Sequence, residues 1–519
     1  MSAIVYRCIV LLAVVLCLVP VHRAYCQWTK LTIVDTTTPN LSYQYNPLVD
    51  VARDGTLGLV WSEFTTDWRN PIVFEKSSDR GQTFQRLVVV DSVLQRDTTG
   101  FGMTTSREVY EFKFGPDGTI WILWSYVLSI DYYNDRYLRL SRSTDEGESF
   151  SLLFSEERSF WGSDLTPQLA VGQDSSVFIL WADRDLMCTK FLHGDMARRT
   201  DAIIPHGNYS VLAQGAMVVD STLNVHCVWA GYWSDTYPHS YVFYSKSQDS
   251  GNTFLPPARV DTAEIYQDEP RLAVTSNGNV VVVYQTYIGQ NSGGAAVFDL
   301  YSATMIDHGN GFAYKTLLAD SSIAGDLNPY VIYKTSTGVL AAWTSCHWIG
   351  PFGNCIPYPY FTRSKDLGIS FRHPTPIDSS LPGDCAGLAA DTDGWTYSVG
   401  YAGTRGNTSS AIAISKSNVS EGVHQGVSLS APREFRLDQN FPNPFNPSTL
   451  ISFSIPKHEY VRLQVFNLLG QIVTTLVDEV KHPGTYTVIW DASTRPTGLY
   501  FYRMTAGEFM QMKKAVLVK

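Results

Sequence analysis

One pattern recurs seven times between residues 46 and 403. An apolar strand runs into a tight turn, with Asp-Gly or Asn-Gly in its clearest copies, and a second strand ends near Trp or Tyr. The copies are NPLVDVARDGTLGLVWSEF (46–64), YEFKFGPDGTIWILWS (110–125), PQLAVGQDSSVFILWA (167–182), AMVVDSTLNVHCVWA (216–230), PRLAVTSNGNVVVVYQ (270–285), PYVIYKTSTGVLAAWT (329–344) and AGLAADTDGWTYSVGYAG (386–403). Two strands around such a turn form a β-hairpin, because Gly, Asn and Asp accept the positive φ the turn requires. A loop, a third strand such as PIVFEKS (71–77) and a fourth such as QRLVVVD (85–91) follow. Four strands every ~50–60 residues fits propeller blades better than a sandwich. The expected fold is therefore all-β, a β-propeller with seven blades favoured and six as the alternative. The last unit has a third strand, SAIAISKS (410–417), but no fourth. WTKLTIVD (28–35) reads like the fourth strands elsewhere, so the N-terminal strand is expected to complete the last blade. Closing the ring removes exposed sheet edges.

Composition agrees. Aromatic residues reach 13% and charged residues only 17%, which suits pleated faces packed with large side chains. A net charge of −10 argues against a nucleic-acid partner, and a monomer is expected. Residues 1–26 carry Arg7, the apolar run 8–19 and then small and polar residues, the layout of a secretory signal peptide. That run is shorter than the ~20 residues a membrane span needs. Cys188, Cys227, Cys346, Cys355 and Cys385 are too scattered for a disulfide scaffold or a metal site, although 346 and 355 flank a loop a disulfide could close. No cofactor and no metal are expected.

A shorter motif sits inside the units. SSDRGQTF (77–84), STDEGESF (143–150), SQDSGNTF (247–254) and SKDLGISF (364–371) share S-x-D-x-G-x-[ST]-F. Each falls between a third and a fourth strand, where Asp can accept backbone N–H groups and Gly can take a positive φ. The octets resemble the Asp-box of the sialidase-like, BNR-repeat propellers. Asp79, Asp145, Asp249 and Asp366 match its Asp, and Gly81, Gly147, Gly251 and Gly368 its Gly. The resemblance implies a structural fastener on the rim opposite the ligand face, with the terminal Phe plugged between neighbouring sheets.

Catalytic sialidases grip a sugar carboxylate with three arginines, since guanidinium binds carboxylate bidentately. The place of the family's R-I-P motif reads YQYNPLVDV (43–51), with Pro47 and no Arg. In QDEPRLAVTSNGNVVVVYQTY (267–287) Glu269 matches the family's Glu, but Tyr284 and Gln285 stand where an Arg belongs. The triad is not found, and sialidase activity is not expected. No catalytic residue is assigned; Glu269, Asp67 and Tyr397 are the weak candidates. The loops expected on the face opposite the octets carry Trp68, Tyr132, Tyr133, Trp161, Trp233, Tyr237 and Trp348 among polar residues. Such aromatic faces beside carboxylates suit a sugar ring or a protein contact.

Residues 27–417 are thus the propeller, and 418–433 a polar linker. Residues 434–519 form alternating strands split by Pro-Gly-Thr and Pro-Thr-Gly turns, the pattern of a small Ig-like β-sandwich. This tail resembles the C-terminal sorting domain of the type IX secretion system through NFPNPFNP (440–447), NLLG (467–470), Gly484 with Tyr486, GLY (498–500) and the basic-apolar end 513–519. That resemblance implies a Gram-negative host, passage across the outer membrane by the type IX machinery, and release or surface attachment. The expected function is non-catalytic binding of a glycan or a surface protein. The alternatives are a glycoside hydrolase or lyase with a non-sialidase site, and a structural surface-layer component.

Overall fold

The computed structural model describes residues 28, 32–34, 41–65, 70–89, 104–130, 133–158, 165–182, 185–207, 209–233, 240–263, 266–290, 294, 296–306, 311–319, 324–335, 337–349, 354–372, 374–377, 383–402, 411–418, 435–437, 439–440, 443, 445, 448–481 and 484–518. The chain divides into two compact units after residue 422. The first unit is a seven-bladed β-propeller. Its blades are four-stranded antiparallel meanders spanning 41–89, 104–158, 168–204, 209–259, 267–319 and 324–376, and a seventh spanning 383–418. The seventh borrows its outer strand from the N-terminus. Thr32 pairs with Ile414 and Ile33 with Ala413, and the Val34 N–H donates to the Ile412 carbonyl at 2.9 Å. The alternative of six blades is thereby excluded.

Period-two patterning explains why blades must stack. In the second strand of blade 6, Val339, Ala341 and Trp343 pack against blade 5, while Leu340 and Ala342 pack against blade 7. Most second strands are apolar on both faces, so a lone blade would leave one apolar face in water. Each of the seven blade junctions holds its own buried apolar cluster, including the closing junction, where Val49, Leu57 and Trp61 meet Tyr397, Val399 and Ile414.

All four octets fold alike. The Ser hydroxyl (Ser77, Ser143, Ser247, Ser364) donates to the Asp Oδ1 at 2.7 Å and accepts the Gly N–H at 2.8–2.9 Å. Asp Oδ1 accepts the N–H of the residue at position seven, and Oδ2 accepts that residue's hydroxyl. These bonds hold the Asp145 carboxyl down at about 2, through the side chains of Ser149 and Ser143 first. The residue between Asp and Gly is left-handed in each copy, at φ 57–61°, and Gly follows with positive φ. Gly147 and Gly368 are also sterically fixed, because a Cβ would stand 2.4 Å from Phe74 and 2.2 Å from Val281 of the preceding blade. Phe84, Phe150, Phe254 and Phe371 pack against the clusters between their own blade and the one before. The octet is therefore a clasp between blades.

The buried donor in the clasp is the Gly N–H, and its acceptor is Ser; the groups that Asp satisfies lie at the surface. Blade 3 replaces the octet with two 3-10 turns, Leu192–Gly194 and Met196–Arg198.

The second unit is a β-sandwich. A three-stranded sheet (Arg436–Leu437, Ser448–Ile455, Gly484–Asp491) faces a four-stranded one (Ile472–Lys481, Glu459–Phe466, Gly498–Ala506, Phe509–Leu517). Ile451, Phe453 and Trp490 from the first interleave with Val461, Leu463, Tyr502 and Met504 from the second.

Ser247→Ala should lower unfolding stability by about 1–3 kcal/mol, since it strands a buried Gly251 N–H. Asp249→Asn, which keeps a surface acceptor, should cost less. Chemical denaturation of both variants checks this, and a larger loss for Asp249→Asn would contradict the clasp as described.

Candidate functional site

In an antiparallel meander, alternate connections fall at opposite ends. Hairpin turns and octets therefore share one rim, and the first strands enter the hub from the other. Near that entry, six first strands carry a β-bulge, between Tyr45 and Leu48, Val109 and Glu111, Val211 and Gly215, Asp268 and Arg271, Leu327 and Tyr330, and Cys385 and Gly387. A bulge bends the strand and re-aims a side chain. Three bulges place a left-handed residue before proline: Asn46 (φ 53°), Glu269 (φ 51°) and Asn328 (φ 52°). Proline pushes its predecessor towards extended backbone. Asn tolerates the left-handed region, but Glu does so at a cost of about 1–3 kcal/mol.

Glu269 stands in a coupled group. Asp268 accepts the Glu269 N–H at 2.8 Å and the Tyr266 hydroxyl at 3.1 Å. The Arg271 guanidinium lies 5.7 Å from the centre of the Tyr330 ring, across the junction of blades 5 and 6. Glu269 Oε2 is out of solvent and has no hydrogen-bond partner among the described residues. Burial pushes the Glu269 carboxyl above its ordinary range; Arg271 and the Gln214 amide oppose the shift and Asp268 adds to it. Asp268 is likewise raised, by burial first. Burial also raises the Tyr330 phenol, which feels Arg271, Glu269 and Glu111.

Blades 1 and 2 supply a second group. Asn46 donates to Glu108 at 3.0 Å, Tyr45 to the Arg107 carbonyl at 2.7 Å, and Arg107 to the Asn70 carbonyl at 3.1 Å. Arg107 and Arg139 both lie over Tyr126, at 5.7 and 4.7 Å. Arg271 belongs to the other group. Deeper on the same first strands, Lys113 bonds Glu111 at 3.0 Å and Asp50 accepts the Phe114 N–H at 2.8 Å.

Of the candidates named from sequence, Glu269 reaches this site. Tyr397 does not. It is fully buried in the junction of blades 7 and 1, and its phenol donates to Asp391 at the hairpin turn, at 3.2 Å. Tyr133, Trp233 and Trp348 stand at the ends of second and third strands on the rim away from the octets, but their side chains lie outside the described residues. Asp67, Trp68, Tyr132, Trp161 and Tyr237 lie outside the described residues, as do the side chains of Cys346 and Cys355. Cys188, Cys227 and Cys385 are buried thiols. Sequence reasoning missed Arg271, Tyr330, Asn46 and Asn328. The available signal was the recurring X-Pro at the start of first strands.

Hollows of about 850 and 480 Å³ lie instead on the octet rim, between blades 1 and 2 and between blades 7 and 1. Octet and hairpin residues already bonded to one another line them, whereas the Glu269 carboxylate oxygen that lacks a partner among the described residues is on the first strand of blade 5. Among the described residues no cluster of His, Cys, Asp or Glu could hold a metal ion.

Residues 439–519 match the family described as a secretion system C-terminal sorting domain. No curated protein matches the chain. Among solved structures, a protein of unknown function from Dyadobacter fermentans is similar at 14% identity and a TM-score of 0.44, covering 75% of this chain and 98% of that one. The GH93 α-L-arabinofuranosidase of Fusarium graminearum, solved with arabinobiose, is similar at 13% and 0.42, covering 76% and 99%. A leech intramolecular trans-sialidase is similar at 11% and 0.41, covering 78% and 72%. At these identities and scores a shared substrate does not follow.

The raised Glu269 carboxyl yields a pH test. A group whose folded pKa exceeds its unfolded one burdens the fold only when ionised, so the burden is absent below the unfolded pKa and complete above the folded one. Glu269→Gln should therefore gain melting temperature over the wild type as pH rises from 4 to 8. A deficit growing with pH would show instead that the attraction of the Arg271 charge dominates.

Proposed function

We propose that this protein, exported by the type IX system through its C-terminal sorting domain, is a non-catalytic glycan-binding propeller that takes sugar at the hub entry. Residues 1–26 serve as its signal peptide and 418–433 as its linker. The observation that carries the reading is Glu269, a strained residue whose buried carboxylate oxygen lacks a partner among the described residues, beside Asp268, Arg271 and Tyr330. An unpaired buried acceptor is costly unless something else satisfies it, and a sugar hydroxyl is a suitable donor. Asn46 with Glu108 supplies an amide and a carboxylate of the same kind, and Tyr126 and Tyr330 supply ring faces. A neutral or hydroxyl-rich glycan fits this set of amide, carboxylate and ring faces. The loop aromatics Trp68, Tyr132, Tyr133, Trp161, Trp233, Tyr237 and Trp348 would extend the contact beyond the hub. The protein acts as a monomer, at the cell surface or released from it.

A second reading, as a glycoside hydrolase or lyase, draws on the raised carboxyls of Asp268 and Glu269, since a general acid needs to hold its proton near neutral pH. A glycan array probed with the purified protein separates these readings. Expected are hits weakened at least about tenfold by Glu269→Gln and unaffected by Asp249→Asn, with no release of reducing ends. Cleavage of a bound glycan would establish the second reading. No binding to any glycan would overturn both and leave a protein ligand or a surface-layer role.

Deleting 434–519 should leave a folded propeller in the periplasm, because the two units have separate cores. Cell fractionation with a melting curve checks this; normal export of the truncated chain would contradict it.

A further inference from the structure

The outer face of the four-stranded sheet in the sorting domain breaks the usual alternation of apolar-in and polar-out. Cross-strand register aligns Ile472, Phe466, Phe501 and Lys514 in one outward row. Gln464, Arg503 and Met512 follow in the next, and Asp478, Arg462, Thr505 and Met510 in the third. Ile472, Met510 and Met512 are 58%, 66% and 49% exposed, and Arg503 lies over Phe466 at 4.7 Å. At the corner beside Ile472, Leu468 and Leu469 are 67% and 82% exposed. They do not belong to a loose loop. Asn467 Oδ1 accepts the N–H groups of Leu469 and Gln471 at 3.0 Å each, Asn467 N donates to the Gln471 carbonyl at 3.0 Å, and Gly470 takes φ +74°. A braced turn thus holds two leucines in water, next to an apolar strip.

Charge on this face is one-sided. Arg462, Arg503 and Lys514 stand in the three rows against Asp478 alone, which is engaged by Arg462 at 2.8 Å. The exposed apolar groups thus fall at the two edges of the sheet, Leu468, Leu469 and Ile472 on one and Met510 and Met512 on the other, with Arg462 and Arg503 between them. Exposed apolar groups rimmed by charge mark an interaction surface. Because the domain is a sorting domain, its partner is the export machinery. We propose that the Leu468–Leu469 corner and the Ile472–Met512–Met510 face are where the type IX machinery grips this protein. The receptor would offer an apolar groove with acidic edges. A rigid protruding corner fits a shaped protein groove better than a fluid lipid surface.

The test expresses the full chain in its own type IX-competent host. Leu468→Ser/Leu469→Ser and Met510→Ser/Met512→Ser should each cut exported protein at least about tenfold, with accumulation in the periplasm and no drop in melting temperature. Leu468→Met/Leu469→Met should restore export, and Leu255→Ser, an exposed leucine of the propeller, should leave it normal. If a serine pair unfolds the domain, Arg503→Glu reads the same face and should also retain the protein. Wild-type export from both serine pairs overturns the proposal. So does a wild-type dimer in sedimentation, or binding to anionic vesicles, that the serine pairs abolish, since the face would then serve a second copy or a lipid.

Discussion

A blade of this protein is apolar on both of its faces, and that constraint governs the rest. Trp343 and Leu340 lie on one strand yet serve different junctions, as do Trp61 and Val60. Such a sheet cannot stop at a free face without exposing side chains that would each forfeit about 1.5–3 kcal/mol of burial. Stacking must continue until the first blade meets the last. The N-terminal strand then turns closure into a hydrogen-bonded join, because residues 32–33 pair on the outer edge of blade 7. The clasps at the third-to-fourth turns reinforce three open junctions and the closing one.

This arrangement separates two tasks by rim. The octets are saturated: Ser, Asp and Gly satisfy one another, and the preceding blade reaches the clasp, as Lys416 does to the Arg80 carbonyl and Thr304 to that of Gly368. The hub entry is not saturated. Its bulges hold residues in backbone regions they would otherwise avoid, and a carboxylate oxygen there lacks a partner among the described residues. Strain and unmet hydrogen bonding persist only where surrounding structure over-determines them, and they gather at sites that await a ligand.

Much of the fold was legible because its signals are local. Asp-Gly and Asn-Gly turns announce hairpins, the octet announces the third-to-fourth turn, and a missing strand at one end matches a spare one at the other. The site was less legible, because a bulge depends on two strands in register and leaves only Pro47, Pro270 and Pro329 as traces. Those prolines read as strand starts, while the left-handed turn of Asn46, Glu269 and Asn328 before them is a tertiary effect. Tyr397 shows the converse error. From the sequence it is a weak catalytic candidate in the last blade, but the period-two pattern of WTYSVGYA directs it into the junction with blade 1. The role of Ser in the clasp was missed for a similar reason: Asp is the charged and conspicuous residue, whereas burial makes the small hydroxyl the one acceptor the Gly N–H can reach.

The central claim is that ligand meets the propeller at the hub entry and not on the clasped rim. Amide hydrogen exchange of the intact protein, with and without a glycan that binds it, tests this most directly. Protection is expected in 44–47, 107–109, 267–271 and 328–331, with exchange in 77–84, 143–150, 247–254 and 364–371 unchanged. Protection confined to the octet segments would contradict the account.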